Sequence, residues 1–356
     1  MLLEVIARIF LDIPLLDYEN PTVLLPDNPR VFGLKPSFEG RFTGVDVNIN
    51  SFGFRDEELN VKKPGEFRIM GLGDSVLFGY KVKQNYDTLS VLENKLKEDN
   101  ISISIVNTSV PAYAFPHEVE TYNYFKNSVK PDLVIVGFVL NDVKRVDPIE
   151  LTKNSMAESL VEKAFWKKVI AYVRGNSKLW ALVEDRLPNI LFSIGYSKPF
   201  PIDKTGDIDE DSLAIVHDQI EANGIYLEKY EQAWKNLDNQ IGEFKKTTDS
   251  DGIPVVFVIF PWREQISKEC WRAYNSHLLW KNVPLTDYAL SGIPQKYLVQ
   301  ILEKHDIKYV DLLESFRKNS GETCQLMIDR NHPTPQGHRI AAETLERFLI
   351  TNGYVK

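Results

Sequence analysis

The chain has 356 residues, of which 43% are hydrophobic and 26% are charged, and its formal net charge is −8 at pH 7. This length and composition are typical of a folded protein with a large core and argue against a disordered chain. The acidic balance, without a stripe rich in lysine and arginine, argues against a nucleic-acid partner. Two cysteines, Cys270 and Cys324, are too few for a disulfide framework, and whether they pair stays open.

Residues 1–13 carry apolar side chains at helical spacing. Glu4, Arg8 and Asp12 interrupt the apolar run, which is therefore too short to span a membrane. No basic segment precedes it, as a secretory signal peptide would require. We expect an amphipathic helix that either packs on the body of the protein or lies on a membrane surface. A cytoplasmic location is the default, and an extracytoplasmic or membrane-associated location is the alternative.

Residues 17–63 are rich in proline, glycine and asparagine, which separate short alternating runs such as 42–47. Turn signals at this density predict small hairpins rather than a helix. We therefore expect residues 1–60 to form a helix followed by a hairpin arm. Arg55 ends the segment Asn50-Ser51-Phe52-Gly53-Phe54-Arg55 and is a candidate either for contacting a substrate or for a structural ion pair.

Apolar runs that alternate with helical patterns predict the core of the protein. The strands are expected at 66–73, 102–106, 132–139, 254–260 and 307–311. A helix at 86–98 fills the first crossover, and Thr334 with Pro335 starts the last helix. Alternation of strands and helices predicts a parallel sheet covered on both faces, with its functional site outside the carboxyl ends of the strands.

The segment 143–250 is longer than a single crossover needs, and most of it has a helical pattern. It divides the core into 61–142 and 251–356. Two readings stay open for this insertion, a second packing layer or a cap over the site. Trp262 and Gln265 follow the fourth predicted strand and are candidates for lining a pocket.

Two short motifs far apart in the chain complement each other chemically. Ser75 follows the apolar run 67–72 within Gly73-Asp74-Ser75, and His332 lies in Asp329-Arg330-Asn331-His332 before the last helix. A serine hydroxyl becomes a nucleophile when a histidine accepts its proton, and a carboxylate orients that histidine. Taken singly, the first motif could be a turn and the second a helix cap or part of a metal site that includes His338.

Two further motifs follow predicted strands in the same order. Asn107-Thr108-Ser109-Val110-Pro111-Ala112-Tyr113 comes after the second strand, and Gly137-Phe138-Val139-Leu140-Asn141-Asp142 ends the third. With these four blocks the chain resembles the SGNH (GDSL-type) hydrolase superfamily, in particular bacterial members with an N-terminal arm and a helical insertion. The resemblance implies a three-layer α/β/α fold with a flavodoxin-like parallel sheet of about five strands.

The resemblance also implies roles for the motif residues. Ser75 is the expected nucleophile, His332 the base and Asp329 the carboxylate, while the Ser75 and Ala112 N–H groups and the Asn141 amide form the oxyanion hole. Ala112 departs from the family, which usually has glycine there, and its methyl group would be strained at a positive φ.

The implied activity is that of a serine esterase that needs no metal or cofactor. Its expected substrate is a small-molecule or glycan ester, with a short acyl or acetyl group on a carbohydrate or a similar carrier. An O-acyltransferase with the same triad is one alternative, because only the acceptor of the acyl group differs. A non-catalytic glycan-binding module is the other.

Overall fold

A computed structural model describes residues 4, 21–145, 177, 179, 231–268, 270, 292–321, 324–328 and 331–355. The predicted N-terminal helix at 1–13 and most of the insertion at 143–250 lie outside the described residues. In the part of the chain that is described, no helix is both long and apolar enough to cross a membrane.

A five-stranded parallel sheet forms the centre of the protein. Its strands are β5 (Phe67–Gly73), β6 (Ile103–Asn107), β7 (Leu133–Val139), β8 (Val255–Phe260) and β9 (Lys308–Asp311). They are ordered β6-β5-β7-β8-β9, and every pair is parallel. This is the flavodoxin-like order, in which the chain changes direction between the first and third strands. The predicted parallel sheet is confirmed.

The strand sequences explain why this sheet is buried. All residues of β7 and β8 are buried, and both strands are nearly continuous runs of valine, isoleucine, leucine and phenylalanine. Such runs are typical of parallel strands that are covered on both faces, where no side chain meets water.

Helices connect and cover the strands. They are α1 (Ser75–Phe78), α2 (Thr88–Glu98), α3 (Phe115–Val129), α4 (Glu231–Ser250), α5 (Arg263–Ile266), α6 (Ile293–Lys304), α7 (Leu313–Asn319) and α8 (Pro335–Thr351), with a 3₁₀ helix at Leu140–Arg145. Contacts join α2 with α8 and α3 with α4. Right-handed crossovers place α2 and α3 on opposite faces of the sheet, which gives the three layers.

The arm that precedes the core consists of two antiparallel hairpins. The first pairs β1 (Thr22–Leu24) with β2 (Phe32–Leu34), and the second pairs β3 (Glu39–Phe42) with β4 (Val45–Asn48). The run 42–47, which the sequence presents as one alternating stretch, is divided by a tight turn. Thr43 and Gly44 have φ of 57° and 87°, and two such residues form the two-residue turn that suits the twist of a hairpin.

The arm shares a hydrophobic cluster with the core. Phe32, Leu34 and Val47 of the arm pack with Phe78 of α1 and with Tyr113, which precedes α3. The Tyr113 hydroxyl donates a hydrogen bond of 2.7 Å to the Phe32 carbonyl. The arm is therefore packed on the segments that follow β5 and β6.

The last part of the predicted insertion belongs to the core. Helix α4 (Glu231–Ser250) buries Trp234, Leu237, Ile241 and Phe244 in the main hydrophobic cluster. This described part of the segment 143–250 is a packing layer on the sheet.

Cys270 and Cys324 form a disulfide, which the cysteine count alone left undecided. Both residues are buried, and their Cα atoms are 4.9 Å apart. The bond joins the segment that follows α5 to the loop that precedes α8, across a sequence separation of 54 residues.

Replacing both cysteines with alanine should lower the free energy of unfolding by about 2–4 kcal/mol, because a closed loop restricts the unfolded chain. Chemical denaturation of oxidised protein, with and without reductant, measures this loss. The reductant should destabilise the wild type and leave the Cys270→Ala/Cys324→Ala variant unchanged. Two alkylatable thiols in the oxidised, denatured wild type would contradict the pairing.

Candidate active site

Ser75 is held at the corner where β5 meets α1. Gly73 ends the strand, Asp74 is the N-cap, and Ser75 is the first helical residue. The Asp74 carboxylate accepts a hydrogen bond of 2.8 Å from the Val76 N–H, which satisfies one of the free donors of the first turn. The cap thus fixes the direction in which the Ser75 side chain leaves the backbone.

A pair of glycines lets α1 lie close to the sheet. Gly73 of β5 and Gly137 of β7 are partners in register, and Leu77 of α1 lies over both. A Cβ atom on Gly73 would be 2.8 Å from the Leu77 Cβ, and one on Gly137 would be 3.0 Å from it. Any side chain at Gly73 would therefore push α1, and Ser75 with it, away from the sheet.

His332 lies on a short loop that is braced before α8. Its carbonyl accepts a hydrogen bond of 2.8 Å from the Ile328 N–H, and the Thr334 N–H donates to the Leu326 carbonyl at 2.9 Å. Thr334 is the N-cap of α8, because its hydroxyl accepts from the Gly337 N–H at 3.2 Å. The loop and the helix start are thus fixed on both sides of His332.

The structure brings the two motifs together. Ser75 Oγ lies 2.9 Å from His332 Nε2, across a sequence separation of 257 residues. At this distance the imidazole can accept the hydroxyl proton, which would make Ser75 a nucleophile. Asp329, the predicted carboxylate, lies outside the described residues.

The second motif folds beside Ser75. The Val110 N–H donates to the Gly73 carbonyl at 3.1 Å, and the Asn107 amide donates to the Leu77 carbonyl at 3.1 Å. Ala112 is exposed in the turn that follows, with a φ of 70°. Among the described residues, no acceptor takes the N–H of Ser75 or of Ala112.

The third motif ends at the neighbouring strand of the sheet. Asn141 is the second residue of the 3₁₀ helix at Leu140–Arg145, directly after β7. Its backbone lies at the end of β7, next to the point between β5 and β7 where the chain changes direction in the sheet. The side chain of Asn141 is not among the described atoms. Asp142 is buried, and its carboxylate accepts a hydrogen bond of 3.3 Å from the Val139 N–H. Asp142 thus holds the 3₁₀ helix against the end of β7.

Buried acids lie behind these corners. Glu118 of α3 is buried, and in the described part of the chain neither of its carboxyl oxygens has a hydrogen-bond partner. Burial, together with the charges of Asp142 and Asp74, raises the pKa of Glu118 well above its usual range. The neutral acid is therefore favoured next to the two carboxylates that cap α1 and the 3₁₀ helix.

Three predicted substrate contacts lie in the interior instead. Arg55 is buried and donates to the carbonyls of Phe78, Gly79 and Val82 at 2.7, 2.8 and 2.5 Å. This side chain supports the loop after α1 and forms no ion pair among the described contacts.

Trp262 and Gln265 are also fully covered. The Gln265 side chain accepts from the Trp262 N–H at 2.8 Å and pairs with Gln295 by reciprocal hydrogen bonds of 2.8 and 2.7 Å. Their position after a strand suggested a pocket wall, but both side chains are buried.

His338, a candidate metal ligand in the sequence, is buried in the core of the protein. Its Nδ1 is 2.8 Å from the Thr88 hydroxyl. Burial, together with the nearby Arg55 and His332, lowers the pKa of His338 to about 3. It is therefore a neutral residue that joins α8 to the start of α2.

The sequence did not indicate Tyr80, whose ring lies on the His332 imidazole with the ring centroids 4.6 Å apart. The sequence also did not indicate a role for Glu118. Tyr80 follows the serine motif closely, but its contact with His332 spans 252 residues of chain. A glutamate in the first turn of a helix is common on solvated surfaces, so its burial carried no local signal.

No family model matches the chain, and no curated protein is significantly similar to it. Solved structures that resemble it include TesA, with 10% identity and a TM-score of 0.42 over 79% of this chain and 97% of that one. The lipase/acylhydrolase from Enterococcus faecalis has 11% identity and a TM-score of 0.41 over 82% and 97%. A member of the lipolytic protein G-D-S-L family from Veillonella parvula has 12% identity and a TM-score of 0.40 over 79% and 98%.

Replacing Ala112 with glycine should stabilise the protein by about 0.5–1 kcal/mol, because an alanine pays a steric cost at a φ of 70° that glycine does not. The midpoint of urea denaturation measures the change. Ala341→Gly, in the interior of α8, is the matched control and should lose about 1 kcal/mol or more. A lower midpoint for Ala112→Gly would contradict the left-handed conformation.

Glu118→Gln should flatten the decline of stability at high pH. Since burial and two neighbouring carboxylates raise the pKa of Glu118, the folded state keeps a proton that the unfolded state releases. The stabilisation is complete below the ordinary glutamate pKa and is lost as pH rises toward the raised pKa. Melting temperatures from pH 5 to pH 9 measure this decline.

The matched control for this measurement is Glu120→Gln, a half-buried glutamate on the same helix. This variant should keep the wild-type decline. If Glu118→Gln shows the same decline as the wild type, the Glu118 carboxyl is not the group responsible.

Proposed function

We propose that the chain is a serine hydrolase of the SGNH (GDSL-type) superfamily that cleaves carboxylic esters. One observation carries the proposal: Ser75 Oγ lies 2.9 Å from His332 Nε2, at the carboxyl edge of a parallel sheet. The four ordered sequence motifs support it, because three of them follow strands that are neighbours in that sheet. The substrate part of the proposal, a short acyl ester of a carbohydrate or similar carrier, rests on the sequence resemblance.

The first half of the reaction forms an acyl-enzyme. Ser75 Oγ attacks the ester carbonyl carbon while its proton passes to His332 Nε2, and the carbonyl oxygen becomes an anion. When the C–O bond to the alcohol breaks, His332 returns the proton to the leaving oxygen. The second half repeats these steps with water, whose proton goes to His332 and whose oxygen bonds to the acyl carbon. The acid is released and Ser75 regains its proton.

The oxyanion needs donors that are already in place, since reorienting them during the reaction would cost free energy. The N–H groups of Ser75 and Ala112 have no backbone acceptor among the described residues; Ser75 follows β5 and Ala112 lies in the turn after β6. We assign the third donor to the Asn141 amide, because Asn141 follows the neighbouring strand β7. We assign Asp329 to the orientation of His332, as its sequence position three residues earlier suggests.

Ser75→Ala should reduce the turnover of p-nitrophenyl acetate by about 10⁴-fold or more, because the reaction loses its covalent intermediate. A fluorophosphonate should add its mass to the Ser75 peptide of the wild type.

Rates of hydrolysis of acetylated sugars, butyrate esters and octanoate esters then show which acyl group the protein prefers. Added sugar acceptors distinguish acyl transfer from hydrolysis.

The matched control is Ser109→Ala, because Ser109 is a buried serine in the adjacent motif whose hydroxyl has no hydrogen-bond partner among the described residues. This variant should keep wild-type turnover. Phosphonate labelling of a different residue, or full activity of a folded Ser75→Ala protein, would sink the proposal.

A further inference from the structure

Tyr80 covers one face of the His332 imidazole. The two ring centroids are 4.6 Å apart and the ring planes differ by 30°, so the rings are in a tilted face-to-face contact. The Ser75 hydroxyl lies at the edge of the same imidazole, 2.9 Å from Nε2. Tyr80 therefore touches the group that accepts the serine proton without lying between the two.

The backbone of Tyr80 is fixed from two sides. Its N–H donates to the Ser75 carbonyl at 3.0 Å, so the nucleophile and Tyr80 belong to one hydrogen-bonded turn. Arg55 of the arm binds the carbonyls of Gly79 and Val82, on either side of Tyr80. The segment that carries the ring is thus tied to α1 and to the arm.

The ring of Tyr80 is also supported by the second hairpin of the arm. Phe42, the last residue of β3, meets Tyr80 edge-to-face with centroids 5.8 Å apart. The same Phe42 ring meets Phe78 of α1 at 6.2 Å. A continuous set of aromatic contacts therefore runs from the arm through Tyr80 to His332.

We propose that Tyr80 is a positioning residue for His332 and that Phe42 acts through it, so that the N-terminal arm sets the geometry of proton transfer. The inference rests on the proposed function. A ring packed against one face of the imidazole restricts its rotation and keeps Nε2 directed at Ser75 Oγ. The face of the tyrosine ring also attracts the imidazolium that forms when His332 takes the proton. Both effects act on the reaction step and not on substrate affinity.

The test compares steady-state hydrolysis of p-nitrophenyl acetate by the wild type, Tyr80→Leu, Tyr80→Phe and Phe42→Leu. Tyr80→Leu should lower kcat about 10- to 100-fold with KM nearly unchanged, because small displacements of a reacting group have effects of this order. Tyr80→Phe keeps the ring and should rescue kcat to within about threefold of the wild type. Phe42→Leu should lower kcat to an intermediate value.

A double variant separates a shared pathway from two independent effects. If Phe42 acts through Tyr80, Tyr80→Leu/Phe42→Leu should have the kcat of Tyr80→Leu alone, and additive losses would overturn that part of the proposal. Tyr86→Leu is the matched control, since Tyr86 is an exposed tyrosine six residues further along. It should keep wild-type kcat.

Three results would overturn the role of Tyr80: wild-type kcat in Tyr80→Leu, a change confined to KM, or equal losses in Tyr80→Phe and Tyr80→Leu. If Tyr80→Leu lacks a cooperative melt, Tyr80→Met replaces it, because the flexible methionine fills the space without an aromatic face. Phosphonate labelling keeps the two proposals apart. A wild type that is not labelled at Ser75 refutes the proposed function, whereas labelling of Ser75 with unchanged Tyr80→Leu kinetics refutes only this inference.

Discussion

The close approach of α1 to the sheet is the constraint on which the rest of the site depends. Leu77 lies on Gly73 and Gly137, two glycines that face each other on adjacent strands. Because neither glycine has a Cβ atom, the four-residue helix α1 can begin in direct contact with the sheet. Because Ser75 is the first residue of that helix, its position relative to His332 follows from this contact.

The arm and the core are joined at the same place. Phe78, at the end of α1, packs with Phe32 and Val47 of the arm, and Tyr113 of the second motif belongs to the same cluster. Polar contacts add to this packing, since Arg55 binds the carbonyl of Phe78 at the end of α1 and those of Gly79 and Val82 in the loop that follows. The Asp56 carboxylate also accepts a hydrogen bond of 2.8 Å from the Asn107 N–H. The arm and the residues just after it therefore contact both the serine corner and the end of β6, from which the second motif continues.

Behind the site, burial and two nearby carboxylates favour the protonated form of Glu118. Asp74 and Asp142 are buried because each holds the start of a helix, and a buried carboxylate is costly without strong donors. Glu118 lies close enough for both charges to raise its pKa. A neutral Glu118 adds no third charge, so two capping carboxylates can be buried next to adjacent corners of the sheet.

The sequence by itself determined the sheet and the motif residues. Each of the five core strands begins one residue later than predicted. The central strands β7 and β8 were easiest to recognise, because strands buried on both faces are nearly continuous apolar runs. Ser75, Ala112 and Asn141 were expected after strand ends and lie there. Tertiary structure decided the contacts between distant segments, including the disulfide and the ring contact of Tyr80 with His332. It also enclosed Arg55, Trp262 and Gln265, since burial depends on which segments pack around a side chain and no local pattern records that packing.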